Sequence, residues 1–248
     1  MEIILKGLKT AIVGRNILYY RTLPSTMDFA KKLAREGMGE GVVVLCDEQT
    51  EGRGRQGRKW FASPSSSILM SVVFQPTIEQ LPQINMLASL AVVFTIEKMT
   101  GINSTIKWPN DVLIDGKKVA GILMENVFEG EALEAAVVGV GLNISLDVSA
   151  YSEISSIATS LSAEARRDFD RDDILRALLE NMDALYLSVK RNEDVYHRWL
   201  PCVETLGKTV RIKSGTSVQE GLAQSINPDG SLTLRRADGS LVTIATGE

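Results

Sequence analysis

Gly52-Arg-Gly-Arg-Gln-Gly-Arg-Lys-Trp60 follows the apolar run Gly41-Val-Val-Val-Leu-Cys46 and gathers three glycines and four cations before a closing indole. Glycine lets a backbone bend through conformations closed to other residues and come close to a ligand. Arginine offers a rigid fork of donors matched to carboxylate and phosphate. A loop of this make-up, launched from a strand, is suited to wrapping an anion. Gly52, Gly54 and Gly57 also satisfy the G-x-G-x-x-G spacing. That fingerprint needs a helix opening from the glycines and an acidic residue about 20 positions on. Trp60-Phe-Ala-Ser-Pro64 is poor helix, so the dinucleotide reading fails, and no Gly-Lys-Ser/Thr closes a P-loop. A solvated basic turn is the bland alternative, although a surface turn does not need so many flexible joints. Nucleic-acid binding lacks an aromatic platform around the loop.

The background of the loop is acidic. The chain has 248 residues, 44% hydrophobic and 23% charged, with net charge -4, a pI of 5.3 and mean hydropathy of +0.04. That suits one large core, or a core with a small appendage, and no global field draws the chain to nucleic acid. Cys46 and Cys202 lie far apart, so reduced thiols in a cytoplasmic protein are expected. Met1-Glu2 and a short run containing Lys6 do not make a signal peptide. The apolar stretch Met86 to Met99 is too short to span a bilayer and carries Glu97 and Lys98, so no membrane partner is expected.

Upstream of the loop, residues 1–24 read as short strands, Ile17 to Tyr20 being the clearer. Ser25 stands where a helix should begin, with Asp28 three residues on as in a capping box, and Gly37 stops that helix. Val42–Cys46 is a strand. Downstream, Ile68–Phe74 reads as a buried strand, and Pro76 and Pro82 separate it from a helix over 83–100 ended by Gly101. Val112–Ile114 turns at Asp115-Gly116, a hairpin signal. Lys118–Asn126 and Ala135–Asn143 form a further strand pair, and Ser-rich 144–165 reads as loop with one turn of helix. Arg171–Lys190 is an amphipathic helix, and a shorter one covers Asp194–Leu200. From Gly207 the texture changes to short strands with turns at Ser214-Gly215, Asp229-Gly230 and Asp238-Gly239. The expected organisation is α+β: a mixed β-sheet flanked by helices over 1–204, then a small β-domain over 205–248.

Three other stretches stand out. Lys107-Trp-Pro-Asn-Asp111 reads by itself as a turn. Lys118-Val-Ala-Gly121 places a lysine among apolar strand neighbours, where it usually points to solvent, and Gly121 permits close approach of a ligand or marks a bulge. Gly139-Val-Gly-Leu-Asn143 repeats that pattern and ends in an amide. Ser25 and Thr26 give a helix N-terminus, which also offers N–H groups to an anion. His197 is the only histidine and stands apart from these residues, so neither a structural zinc site nor histidine-based nucleophilic catalysis is expected. Chemistry resting on positioning and cations suits adenylyl transfer, in which a carboxylate attacks the α-phosphate of ATP.

Taken in order, the loop, Lys107-Trp-Pro-Asn-Asp111, Lys118-Val-Ala-Gly-Ile-Leu123 and Gly139-Val-Gly-Leu-Asn143 closely resemble the biotin–protein ligases. The resemblance covers essentially the whole chain. It implies a class II synthetase-like catalytic domain with a C-terminal SH3-like β-barrel. It also implies coupling of biotin to ATP as biotinyl-5′-AMP, and transfer to one lysine of a biotin carboxyl carrier protein. By resemblance, Ser25, Thr26 and Gln49 hydrogen-bond the ureido head of biotin, with Gly52 and Arg53 closing around it. Arg55 and Arg58 meet the biotin carboxylate and phosphates, and Lys118 bridges carboxylate and phosphate. Trp60, Asn143 and the Gly121 backbone surround adenosine, to which Asn110 also belongs. Lys107 and Asp111 support the site or guide the acceptor lysine. Mg²⁺ is expected with ATP, held by phosphates and waters rather than by a protein-built metal site. The family's N-terminal DNA-binding domain is not expected here, so DNA is not an expected partner. Family members are often dimers through the catalytic sheet, which leaves a homodimer open. Lipoate–protein ligase, which shares fold and chemistry, is the alternative, and a non-catalytic anion-binding module is a third. The loop is expected to be mobile when empty and ordered over ligand.

Overall fold

The computed structural model describes residues 2–3, 5–215 and 217–247. Met1 and Glu248, at which the two expected domains begin and end, lie outside the described residues. One sheet is built from β1 (Glu2–Ile3), β2 (Asn16–Leu23), β3 (Val42–Gln49), β4 (Ser67–Phe74), β5 (Thr105–Lys107), β6 (Asp111–Ile114), β7 (Lys117–Glu129) and β8 (Ala132–Asn143). Its order is β1-β2-β3-β4-β8-β7-β6-β5. Only β2 and β3 run parallel, because α1 (Thr26–Arg35) makes the crossover between them. A second, antiparallel sheet is ordered β12-β11-β10-β9, from β9 (Thr209–Ser214), β10 (Ser217–Ile226), β11 (Leu232–Arg235) and β12 (Leu241–Ile244). The remaining helices are α2 (Leu81–Thr100), α3 (Leu161–Ala165), α4 (Arg171–Lys190) and α5 (Tyr196–Trp199). None is long and apolar enough, among the described residues, to cross a membrane.

Strand alternation gives the large sheet two different faces. Met70, Val72 and Phe74 of β4 and Val138, Val140 and Leu142 of β8 point into the main core, where α2 and α4 pack. α2 is apolar on nearly every side up to Ile96, so that part is buried between the sheet and α4, with Ile84, Leu87 and Leu90 excluded from solvent. The opposite face carries Leu69, Val73 and Val137, and α1 covers it with Met27, Ala30 and Leu33. α1 rests mainly on β3, β4 and β8. The face beyond its N-terminus is left for the site.

Several expectations shift. β3 runs on from Cys46 to Gln49, because its pairing with β2 continues as Thr22 opposite Glu48 and Leu23 opposite Gln49. α2 starts at Leu81, with Pro82 inside its first turn, where a missing N–H breaks no helical hydrogen bond. Ser25 caps α1 by accepting from the Asp28 N–H at 3.4 Å, but no capping box closes, since the Asp28 carboxylate turns to Arg53 and Lys31. The last short helix contracts to Tyr196–Trp199, followed by a 3-10 turn at Leu200–Cys202. Asp115 and Gly116 take φ of 47° and 77°, the left-handed pair of a tight hairpin. Cys46 is buried and free, its thiol pushed up to about 12 by burial, and Cys202 is also free.

The two sheets meet at Trp108. Its backbone N–H donates to Thr205 Oγ1 at 2.9 Å and its indole N–H to the Gly230 carbonyl at 2.8 Å, while the Glu204 N–H bonds the Ile106 carbonyl. Trp108→Phe keeps the ring and deletes the indole bond. It should lower unfolding stability by about 1–2 kcal/mol, read from the urea midpoint.

Candidate active site

The antiparallel register sets Gly121 of β7 directly opposite Gly141 of β8. Both lie on the face that α1 leaves open, and neither could carry a side chain. A Cβ on Gly141 would stand 2.5 Å from Trp60 Cε2 and Cζ2, and one on Gly121 would stand 2.9 Å from Trp60 Cζ3. The bare strands thus form a floor on which the Trp60 indole lies. Lys118 Nζ sits 5.4 Å from the ring centroid and 2.6 Å from Asp111 Oδ1. Asp111 faces Gly121 across the β6–β7 ladder, so the same register brings carboxylate, ammonium and indole together. The indole Nε1 is buried without a hydrogen-bond partner.

Residues 52–60 fold as a small hairpin over this floor. The Trp60 N–H bonds the Gly52 carbonyl at 2.9 Å, the Gly54 N–H bonds the Arg58 carbonyl at 2.7 Å, and Arg53 bridges to Lys59. The tip Arg55–Gly57 is one 3-10 turn with Gln56 at φ 54°. Between hairpin and sheet lies a cavity of about 410 Å³.

Neutral hydrogen-bonding groups of the cavity come from the start of α1 and the end of β3. Thr26 donates to Gln49 Oε1 from its N–H at 2.8 Å and from Oγ1 at 3.0 Å, and Thr26 Oγ1 lies 2.9 Å from Ser71 Oγ. Ser25 lines the same wall. Gly52 does not line it: buried, it backs against Gln49, whose Nε2 would be 3.2 Å from an added Cβ. Arg53 reaches the wall, but its fork is closed on Asp28 and Glu125. Its hydrogen bonds hold the Asp28 carboxyl well below the usual carboxylate range.

Besides Arg53, the cations of the wall are Arg55, Arg58, Lys59, Lys107 and Lys118. Arg55 donates to Asn110 Oδ1 at 3.3 Å and to Thr246 Oγ1 of the C-terminal segment. Asn110 in turn donates to the Ile122 carbonyl. Asn143 lines the cavity with its amide engaged: Oδ1 accepts from Ser67 Oγ at 3.3 Å and Nδ2 donates to the Thr159 carbonyl at 3.0 Å. Among the described residues, Asp111 is the one acid on a wall with six cations, and no histidine or cysteine lines it. His197 instead pairs with Asp194 at the surface.

Four contributors belong to no motif of the sequence. Ser71 is fully buried beside Thr26; its signal was a hydroxyl inside an otherwise apolar strand. Ile154, Ile157 and Ala158 line the cavity from the Ser-rich segment. They are held there by Lys118 N–H to Ile157 carbonyl and Thr159 N–H to Lys118 carbonyl bonds of 2.8 and 2.9 Å. That pairing had no periodic signal. The cavity as a whole suits a molecule with a neutral polar head and an anionic end.

Gly141→Ala should lift the indole off its floor. Acrylamide quenching of tryptophan emission should rise in that variant, and the rise should vanish in a Trp60→Phe background.

Residues 18–143 match the Biotin/lipoate A/B protein ligase family, and residues 205–248 match the Biotin protein ligase C terminal domain. The chain is 34% identical over 238 residues to the bifunctional ligase/repressor BirA of Bacillus subtilis, covering 94% of this chain and 73% of that protein. It is 32% identical over 231 residues to the biotin–[acetyl-CoA-carboxylase] ligase of Paracoccus denitrificans, covering 88% of this chain and 93% of the relative. Its fold matches the biotin protein ligase of Aquifex aeolicus in complex with biotin and ATP at a TM-score of 0.79. Identity there is 26%, and coverage is 94% of this chain and 97% of that one. With one match over the strands that build the cavity and the other over the small C-terminal sheet, this chain belongs to the biotin/lipoate A/B protein ligase family.

Proposed function

We infer that the protein is an ATP-dependent biotin–protein ligase acting on a biotin carboxyl carrier protein. The observation that carries the reading is one cavity holding both a neutral hydrogen-bonding group, Thr26, Gln49 and Ser71, and a cationic group, Arg55, Arg58 and Lys118. A ureido head offers two donors and an acceptor, which suits the first group. A carboxylate meeting a polyphosphate suits the second. The relatives named as biotin ligases, and the Aquifex structure with biotin and ATP, favour biotin over lipoate.

In this reading the biotin carboxylate oxygen attacks the α-phosphorus, the bond to the bridging oxygen breaks, and pyrophosphate leaves. Lys118 and the two arginines bring like-charged reactants together and neutralise the charge that builds between them. The acceptor ε-amine then attacks the anhydride carbonyl carbon, AMP departs, and the amine loses a proton. Asp111 keeps Lys118 aimed at the carboxylate. Trp60 and the wall held by Asn143 border the adenosine. A Mg²⁺ arriving with ATP would supply neutralisation of phosphate charge, with phosphate oxygens and water as its main ligands. Among the described residues no three His, Cys, Asp or Glu gather as a metal site.

Incubation with biotin, MgATP and a carrier domain of a biotin-dependent carboxylase should label one lysine, seen by streptavidin blot. An unlabelled carrier with competent lipoate transfer would replace this reading with the lipoate one. Lys118→Ala should lower pyrophosphate release by about 100-fold or more, as loss of a preorganised cation at developing charge does, with circular dichroism unchanged. Arg55→Ala should speed escape of the adenylate more than it weakens biotin binding, because its charge partner is complete only once ATP has reacted. Adenylate dissociation and biotin titration measure the two.

A further inference from the structure

The Arg53 guanidinium sits between two carboxylates. Nη1 and Nη2 meet Asp28 Oδ2 and Oδ1 at 2.5 and 2.7 Å, and Nη2 reaches Glu125 Oε1 at 3.3 Å. Lys31 closes the figure from the other side, its Nζ 3.1 Å from Asp28 Oδ1 and 2.5 Å from Glu125 Oε2. Acids and bases alternate, so the ring carries no net charge. Its members come from the loop, from α1 and from β7. Arg53 also faces Lys59 across the hairpin, with the Gly52–Trp60 and Gly54–Arg58 hydrogen bonds on either side. Holding Arg53 therefore holds both limbs of the hairpin base, while the tip reaches away to Asn110 and Thr246.

We propose that Asp28, Lys31 and Glu125 are positioning residues, a charge-neutral latch that fixes the base of the hairpin against α1 and β7. The latch sets the Gly52–Arg53 backbone beside the Thr26–Gln49 pair, where the neutral head of the ligand lies, and it keeps Arg53 out of competition for the phosphates. The identity of that ligand rests on the biotin reading; the latch itself does not. Isolated surface ion pairs hold little. This one is a two-pronged arginine contact inside a network: Asp28 is half exposed, but Arg53 and Glu125 are partly buried and the Lys31 side chain is only 17% exposed.

Trypsin digestion of the ligand-free protein reads the latch, and biotin titration reads its consequence. Asp28→Asn should accelerate cleavage after Arg55, Arg58 and Lys59 and raise the biotin Kd by about tenfold, the size of a lost charge-assisted hydrogen bond, with less change in the ATP Kd. Asp28→Glu should recover most of both. Adding Asp28→Asn to Arg53→Gln should cause no further loss, because the partners act as a unit. Glu125→Gln tests the same latch from β7, should Asp28→Asn fold poorly. Wild-type cleavage in both variants would overturn the latch, and faster cleavage with unchanged biotin Kd would overturn its positioning role. Faster cleavage in a protein that binds no biotin at all would support the latch and remove the biotin reading instead.

Discussion

The site depends on one register: Gly121 opposite Gly141 in the β7–β8 ladder, with Leu69 of β4 paired to Gly141 on the other side. A slip of one residue would turn Val140 or Leu142 toward the cavity and raise a side chain where the Trp60 ring lies. What prevents the slip is on the far face. Val138, Val140 and Leu142 are at most 2% exposed under α2, and burial of each is worth about 1.5–3 kcal/mol. Core and site are therefore alternate residues of the same strand. The hydrophobic face holds the register, and the bare face uses it.

Consequences spread outward from that floor. The indole can lie flat only because two neighbouring strands lack Cβ atoms, and the ring then carries Lys118 above it. Lys118 is fixed on its other sides by Asp111 and by the backbone pairing with Ile157 and Thr159. A lysine with four rotatable bonds is thus held close to one geometry before any ligand arrives, which is what an electrostatic role in a transition state requires.

How far the sequence could be read follows from which forces are local. The helix over Arg171–Lys190 is found as its periodicity predicts, and Asp115-Gly116 makes its turn, because 3.6-residue spacing and left-handed turn residues act within a few positions. Periodicity places Gln49 outside its strand, since the apolar run ends at Cys46 while the pairing with β2 continues past it. Asp28 looked like a cap because spacing is all that three residues can show. Its real partner, Arg53, lies 25 residues away, and Glu125 lies 72 residues beyond Arg53. The cations of the loop were legible as cations, but which of them faces a carboxylate is decided by tertiary placement alone.

That placement explains a composition that otherwise looks wasteful. A loop rich in cations carries an arginine whose fork is taken up by two acids of the protein itself. Unit charges a few ångströms apart interact by about 1 kcal/mol in water and several times that in a cleft. An unpaired cation at the Thr26–Gln49 end would therefore draw phosphate or carboxylate into the part of the cavity built from neutral donors and acceptors. Closing Arg53 into a ring without net charge removes that competing well. The arginine fork then serves as a strut, and orientation along the cavity is set by where charge has been cancelled as much as by where it remains.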